Sequence, residues 1–303
     1  MSFAQNEPLV PGARTGLLVK GVGGLYTVYC EGEYYPAKAR GRFRKNMQKP
    51  VIGDRVDFTP AAPGDDFGVI GRIHPRRNSL VRPAVANISL LLAVMASAMP
   101  EPDLMLVDKL LVYSRMSRAE AVVVINKIDL GDSAAIAAQY EKSGYEVFCV
   151  SAVSGEGVHA LKDRMKGHIS AYAGQSGVGK SSILNSLGHG FSIETGDVSR
   201  IQRGKHTTRH VELLQLGEDS WVSDTPGFSL LEMDMFDPLE LKNYYPEFDA
   251  HSEGCRFPGC NHISEPGCSV KEAAERGELS MERMERYAMI FQEVKEKWDR
   301  RYN

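Results

Sequence analysis

Residues 174–181 read Gly-Gln-Ser-Gly-Val-Gly-Lys-Ser, a G-x-x-x-x-G-K-[ST] pattern, and no other stretch restricts the fold of the chain as tightly. Gly174, Gly177 and Gly179 let the backbone curl, with Gln175, Ser176 and Val178 between them, so that N–H groups converge on a β-phosphate. Lys180 adds a point charge toward the β- and γ-oxygens, and Ser181 can place a hydroxyl on Mg²⁺. A helix beginning at Ser182 and running to 187 directs its positive dipole end at the phosphates. Such a loop belongs between a strand and a helix, and the apolar run Ile169–Ala173 supplies the strand. Upstream the same rhythm recurs. Strands are predicted over 88–94, 121–125 and 145–150, and helices over 103–115, 134–142 and 158–165. Strand and helix in alternation predict a mostly parallel sheet with helices on both faces, an α/β domain over residues 84–237.

A phosphate loop does not select a base. Asn126-Lys127-Ile128-Asp129 ends the predicted strand 121–125. A carboxylate at Asp129 can accept both the N1–H and N2–H of guanine, a donor pair that adenine lacks. Asn126 can hold the loop near the purine edge, Lys127 can lay its stem along the ring, and Ser151-Ala152 can offer a backbone N–H to the guanine oxygen. After the predicted strand Ser220–Ser223, Asp224-Thr225-Pro226-Gly227 places an Asp for water-mediated Mg²⁺ contact and a Gly N–H for the γ-phosphate. Thr207 and Thr208 lie between; one is the expected switch threonine, and Thr208 is taken as the magnesium ligand beside Ser181.

These are the parts of a GTPase in rotated order, with the base-reading loop ahead of the phosphate loop. A domain whose ends lie close together tolerates such a permutation. In Ras-like enzymes a Gln following D-x-x-G orients the attacking water. Here Phe228 holds that position, so the chemistry uses another group or runs slowly. His206 is the local candidate for positioning water, with His210 behind it. Together with Lys180, Thr207 and Thr208, His206 makes up the expected catalytic set.

The rest of the chain bounds the setting. A length of 303 residues predicts two or three domains. A net charge of -3 excludes a uniformly basic nucleic-acid coat. No run of 18 apolar residues is present, so no membrane span is expected. The first eleven residues lack a charged-then-apolar signal pattern, and the cytoplasm is the expected compartment. Residues 1–83 read as five short strands, a small barrel; an oligonucleotide-binding barrel and a generic β domain both fit. Lys38-Ala39-Arg40-Gly41-Arg42-Phe43-Arg44-Lys45, with Arg76, Arg77 and Arg82, could grip a phosphodiester backbone.

In residues 238–303, Cys255, Cys260, His262 and Cys268 form C-x4-C-x-H-x5-C. Three thiolates and an imidazole suit one structural, tetrahedral Zn²⁺. An amphipathic helix is predicted over 280–302, with Met284, Tyr287, Ile290, Phe291, Val294 and Trp298 on its inner face. Cys30 and Cys149 read as core residues.

Taken in order, NKID, SA, GQSGVGKSS, GKHTTRH, DTPGF and the Cys255–Cys268 pattern closely resemble the ribosome small-subunit-dependent GTPase A (RsgA) family of circularly permuted GTPases. The resemblance implies an N-terminal OB-fold β-barrel that binds RNA (1–83), a central permuted P-loop GTPase domain (84–237) and a C-terminal zinc-binding helical domain (238–303). It further implies GTP hydrolysis to GDP and phosphate, Mg²⁺ with the nucleotide, stimulation by the small (30S) ribosomal subunit, contact with its rRNA, and a role in late maturation of that subunit. A monomer is expected. Members carry a hydrophobic residue in place of the catalytic Gln, as Phe228 does here.

Overall fold

The computed structural model describes residues 12–40, 49–80, 84–188, 212–223 and 236–300. Packing divides the chain into two compact units, one of 1–88, 167–171 and 204–225 and the other of 89–166, 172–203 and 226–303.

The first unit is built on a closed barrel. Its strands are β1 (Arg14–Val22), β2 (Leu25–Cys30), β3 (Glu33–Ala39), β4 (Arg55–Thr59) and β5 (Gly68–Ile73), ordered β1-β2-β3-β5-β4 around the barrel. That order makes β3 and β5 the one parallel neighbour pair, the closure of a five-stranded Greek-key barrel of OB type. Gly23 and Gly24, both at positive φ, make the two-residue turn between β1 and β2. Pairing of β3 with β5 starts at Ala37, one residue after Pro36, which has no N–H to give a ladder. Alternate side chains point inward, and Leu18, Val28, Val56, Phe58 and Ile70 fill the interior. The hairpin of β10 (Leu213–Gly217) and β11 (Ser220–Ser223) belongs to the same unit. Trp221 sits edge-on to Tyr29 at 4.8 Å and shares the barrel's apolar cluster with Leu213.

One reading of the barrel's basic residues changes. Arg76 is committed to structure: Nε donates to Asp54 Oδ1 at 2.7 Å and Nη2 to Asp54 Oδ2 at 2.9 Å and the Lys49 carbonyl at 2.7 Å. Asp54 is fully buried, so Arg76 balances its charge and is withdrawn from the set that could face a phosphate backbone. The Lys38 ammonium lies 3.9 Å from the Phe67 ring centroid. Gly41–Lys45, including Phe43, and Arg82 lie outside the described residues.

The second unit holds the parallel strands β6 (Leu90–Ala96), β7 (Glu120–Asn126) and β8 (Val147–Cys149). Every residue of β6 is buried, as expected of a parallel strand covered on both faces. The helices α1 (Leu104–Met116), α2 (Ala134–Glu141) and α3 (Val158–Arg164) alternate with these strands, and α4 (Lys180–Leu187) follows the phosphate loop. The Asp103 carboxylate caps α1 by accepting from the Leu106 N–H at 2.9 Å. β9 (Ile169–Ala173) pairs in parallel with β11 within the first unit, and its last residues, Tyr172 and Ala173, enter the second.

Past two 3₁₀ turns (Pro238–Tyr244 and Pro246–Phe248) come α5 (Asp249–Ser252), α6 (Ser269–Glu275) and the long α7 (Met281–Asp299). Met284, Tyr287, Ile290 and Val294 bury the inner face of α7, while Phe291 is partly buried against the same cluster, and Val112 of α1 joins it. Beside that core lies a buried charge cluster. Arg283 donates to Asp108 of α1 and to Glu247, and Arg286 also donates to Asp108. The Arg283 guanidinium lies over three rings, at 4.8 Å from Tyr245, 5.3 Å from Tyr145 and 5.6 Å from Tyr140. Burial alone would push this guanidinium's pKa down; Asp108 and Glu247 outweigh it and hold the group charged. Cys30 is buried as expected, but Cys149 is half-buried and accepts from Ser133 Oγ at 3.4 Å. No helix among the described residues is long and apolar enough to cross a membrane.

Candidate nucleotide site and metal centre

The phosphate loop leaves the end of β9 and enters α4, whose first residue is Lys180. The predicted start at Ser182 moves two residues earlier, because the left-handed Gly179 (φ +91°) ends the loop and everything after it is helical. Two glycines are fixed by geometry. A Cβ on Gly174 would stand 1.9 Å from the Val94 carbonyl oxygen of β6, and one on Gly179 would stand 2.3 Å from Asn126 Nδ2. The Lys180 ammonium turns into the loop, donating to the carbonyls of Gly174 at 2.8 Å and Gln175 at 2.7 Å. Burial lowers its pKa, as expected of a cation partly withdrawn from water. Ser181 and Ser182 occupy the first turn of α4, Val178 is buried, and Gln175 has a buried Oε1 without a protein partner.

The base-reading loop meets this loop directly. Asn126, the last residue of β7, is buried. Its Nδ2 donates to the Val178 carbonyl at 2.8 Å, and its Oδ1 accepts from the Ala152 N–H at 3.1 Å. One side chain therefore joins three segments that lie 26 and 52 positions away along the sequence. Lys127 is left-handed (φ +64°), and its ammonium donates to the Gly177 carbonyl at 2.8 Å and to the Met99 carbonyl. Its stem thus crosses from one loop to the other. Asp129 is exposed at the end of this segment. Ser151 Oγ accepts from the Ser154 N–H at 3.2 Å, and the Ser151 carbonyl accepts from Gly155, closing a tight turn. The Ala152 N–H is held by Asn126 Oδ1. Sequence reasoning missed Ser97, whose N–H and hydroxyl bind the carbonyls of Asn126 and Lys127; no motif marks it. His206, Thr207, Thr208, His210, Asp224, Gly227 and Phe228 lie outside the described residues.

The cysteine cluster forms as predicted. The donor atoms of Cys255, Cys260, His262 and Cys268 lie within 4.8 Å of one another, and all but Cys255 are buried. Sγ of Cys255 is 4.0 Å from Sγ of Cys268, and His262 Nδ1 is 3.7 Å and 3.3 Å from those two sulfurs. These separations suit one small cation, so the four residues could hold a metal ion. Burial, helped by the Lys242 charge, lowers the His262 pKa and favours the neutral imidazole that a ligand must be. Burial pushes the Cys260 thiol up to about 12, so a thiolate there calls for a cation beside it. Sequence reasoning passed over Glu265. Its carboxylate accepts from the N–H groups of Asn261, Ile263 and Ser264 at 2.9–3.1 Å and shapes the left-handed turn at His262.

A nucleotide-phosphate loop after one strand and an N-K-x-D loop after an earlier one, joined by one asparagine, define a P-loop GTPase with circularly permuted motifs. Comparison with known proteins agrees: the RsgA GTPase family model matches residues 73–234, and the RsgA N-terminal domain model matches residues 15–70. The small ribosomal subunit biogenesis GTPase RsgA of Ruminiclostridium cellulolyticum is 45% identical over 286 residues, spanning 93% of this chain and 94% of the relative. That of Geobacillus thermodenitrificans is 44% identical, spanning 93% and 98%. Among solved structures, YjeQ from Thermotoga maritima superposes with a TM-score of 0.80 at 39% identity, spanning 93% of this chain and 98% of that one. YloQ, a circularly permuted GTPase, superposes at 0.79 with 31% identity, spanning 97% and 99%. The chain belongs to the RsgA family and is a GTP-hydrolysing enzyme.

Proposed function

We propose that this GTPase serves the biogenesis of the small ribosomal subunit in the cytoplasm, acting late as a monomer on the 30S particle, which stimulates hydrolysis and whose rRNA it contacts. The observation that carries the reading is Asn126, which ties the phosphate loop, the base-reading loop and the Ser151-Ala152 turn into one place. In this reading the N–H groups of 174–182 and the Lys180 ammonium take the phosphates, and Ser181 and Thr208 hold Mg²⁺ with Asp224 acting through water. Asp129 accepts from guanine, with Lys127 along the ring, and Gly227 meets the γ-phosphate. His206, beside Thr207 and Thr208, positions the attacking water that no Gln is present to orient.

The working division is a barrel of 1–83 that binds RNA, a GTPase domain of 84–237 and a zinc domain of 238–303. Zn²⁺ fits the cysteine cluster. Zn–S near 2.3 Å and Zn–N near 2.0–2.1 Å set donor separations of roughly 3.5–3.8 Å in a tetrahedron, against 3.3–4.0 Å among Cys255, His262 and Cys268 and at most 4.8 Å for any pair of the four. Four protein ligands leave no open position, so the ion would organise the fold and take no part in hydrolysis.

The test is single-turnover GTP hydrolysis with and without purified small subunits. A slow basal rate raised about 100-fold or more, equal to about 2.7 kcal/mol of barrier, is expected. Equal rates in both would defeat the proposal, and Lys180→Ala must abolish the stimulated reaction.

A further inference from the structure

The segment 97–99, between β6 and α1, belongs to no nucleotide motif, yet it holds the base-reading loop at several points. The Ser97 N–H donates to the Asn126 carbonyl at 2.8 Å, and Ser97 Oγ donates to the Lys127 carbonyl at 2.6 Å. Two residues on, the Met99 carbonyl accepts from the Lys127 ammonium. The far end of the loop closes on the same turn: a Cβ on Gly131 would lie 3.2 Å from Ala98 Cβ and 3.6 Å from Ser97 Oγ. Lys127 needs such restraint. Its φ of +64° is a left-handed conformation that a side-chain-bearing residue adopts at a cost of about 1–2 kcal/mol. The Leu130 N–H also binds the Lys127 carbonyl, at 2.8 Å, so the Ser97 hydroxyl is the second donor to one oxygen.

We propose that Ser97 is a positioning residue for guanine selection: its hydroxyl fixes the peptide after Lys127 and thereby sets the direction in which Asp129, two residues later, presents its carboxylate. The proposal rests on the guanine-nucleotide reading of this site. A carboxylate aimed at two donors on one base edge tolerates little rotation, whereas phosphate binding, made by Lys180 and the loop amides, does not depend on it. Ser97 touches no reacting atom and acts only through the loop.

The experiment measures binding of fluorescent GDP, and its displacement by unlabelled GDP, IDP and XDP, on the full chain. Inosine lacks the N2 amine, so the ratio of IDP to GDP dissociation constants reads the second Asp129 contact. Ser97→Ala is expected to weaken GDP about fivefold, which is about 1 kcal/mol at 1.4 kcal/mol per tenfold, and to weaken IDP by less, so that the ratio contracts. Ser97→Thr keeps the hydroxyl and is expected to restore both values; it also serves if the alanine variant folds poorly. An unchanged ratio, or GDP and IDP weakened equally, overturns the proposal, as does Ser97→Thr behaving like the alanine variant. Asp129→Asn separates this from failure of the underlying reading. If that substitution leaves preference between GDP and XDP unmoved, the guanine assignment itself falls, and Ser97 with it. If it shifts preference to XDP while Ser97→Ala moves nothing, only the role of Ser97 is lost.

Discussion

Replacing Arg283 with methionine keeps most of the side chain's volume and removes its charge. Arg283 is buried, as are both carboxylates it serves, with side-chain exposures of 3% for Arg283, 4% for Glu247 and 0% for Asp108. In the variant Asp108 keeps Arg286, but Glu247 loses the cation beside it, while its Oε2 already has no partner. Breaking a buried pair from one side costs about 3–5 kcal/mol, because the remaining charge stays desolvated. For a unit of this size that is a fall of about 10 °C in the thermal midpoint. Removing the second charge as well, in Arg283→Met with Glu247→Leu, takes away the stranded carboxylate. The pair of changes is then expected to cost at least about 2 kcal/mol less than the sum of the single costs, the signature of direct coupling. Thermal unfolding followed by circular dichroism on the four proteins, with zinc content checked in each, makes the measurement. A midpoint for Arg283→Met within about 3 °C of the parent, or strict additivity in the double variant, would refute the view that this cluster is an electrostatic unit.

Four further outcomes follow from the same geometry. Gly179→Ala would put a methyl 2.3 Å from Asn126 Nδ2 at a φ of +91°, so strain and the lost Asn126 bond together cost about 2–3 kcal/mol; calorimetry should find GDP binding weakened about 30-fold or more with zinc retained. Cys260→Ser should lose the metal and loosen the cluster of Phe248, Tyr287 and Val270 that surrounds it, read as a lower midpoint and a zinc content well below one per chain by atomic emission. Lys180→Ala should lower GTP turnover at least about 100-fold, or about 2.7 kcal/mol, while small-subunit binding measured by co-sedimentation persists. In the barrel, burial would raise the Asp57 pKa, but bonds from His74 and Thr15 outweigh it and hold the group below its ordinary 3.8. A depressed folded value means stability that is present above pH 4 and lost as the pH falls through the folded pKa, so Asp57→Asn should be less stable than the parent at pH 6 and approach it below pH 4 in urea titrations.

Where local chemistry decides an element, the residues alone reveal it. The strands Ile169–Ala173 and Ser220–Ser223 fall where the sequence places them, because the flanking turns are glycine-marked or polar. The metal cluster and the joined nucleotide loops were legible for the same reason: each is a short pattern with a chemical requirement at every position. What was not legible depends on partners distant in sequence. Arg76 reads as one more surface cation until Asp54, 22 residues away, is seen buried against it. The strand β10, with only Leu213 buried, shows neither alternation nor a continuous apolar run. Ser97 carries no pattern, since a serine after a buried strand has many uses and its partners lie 29 and 30 residues on. Strand β6 begins two residues later than its apolar run, at Leu90, where its parallel pairing with Glu120 of β7 starts.

The order of the motifs along the chain matters little to such a site, and the reason is geometric. Asn126 ends β7, Ser151 follows β8, Gly174 follows β9 and Ser97 follows β6, so each of these four loops starts at the carboxyl end of a strand. The loops are joined by side chain to carbonyl and amide to side chain, through bonds that do not record which loop the ribosome made first. Cutting and rejoining the chain elsewhere leaves those ends where they were, provided the strands keep their parallel pairing. What permutation does change is which segment follows the nucleotide loops into the next module. Here α1 begins directly after the 97–103 stretch that holds Lys127, and it carries Asp108, the carboxylate on which Arg283 and Arg286 of the C-terminal helix converge. The segment that bears the cysteine cluster is therefore rooted in the helix that follows the stretch holding the base-reading loop. It could not be detached without stranding a buried charge in the GTPase core.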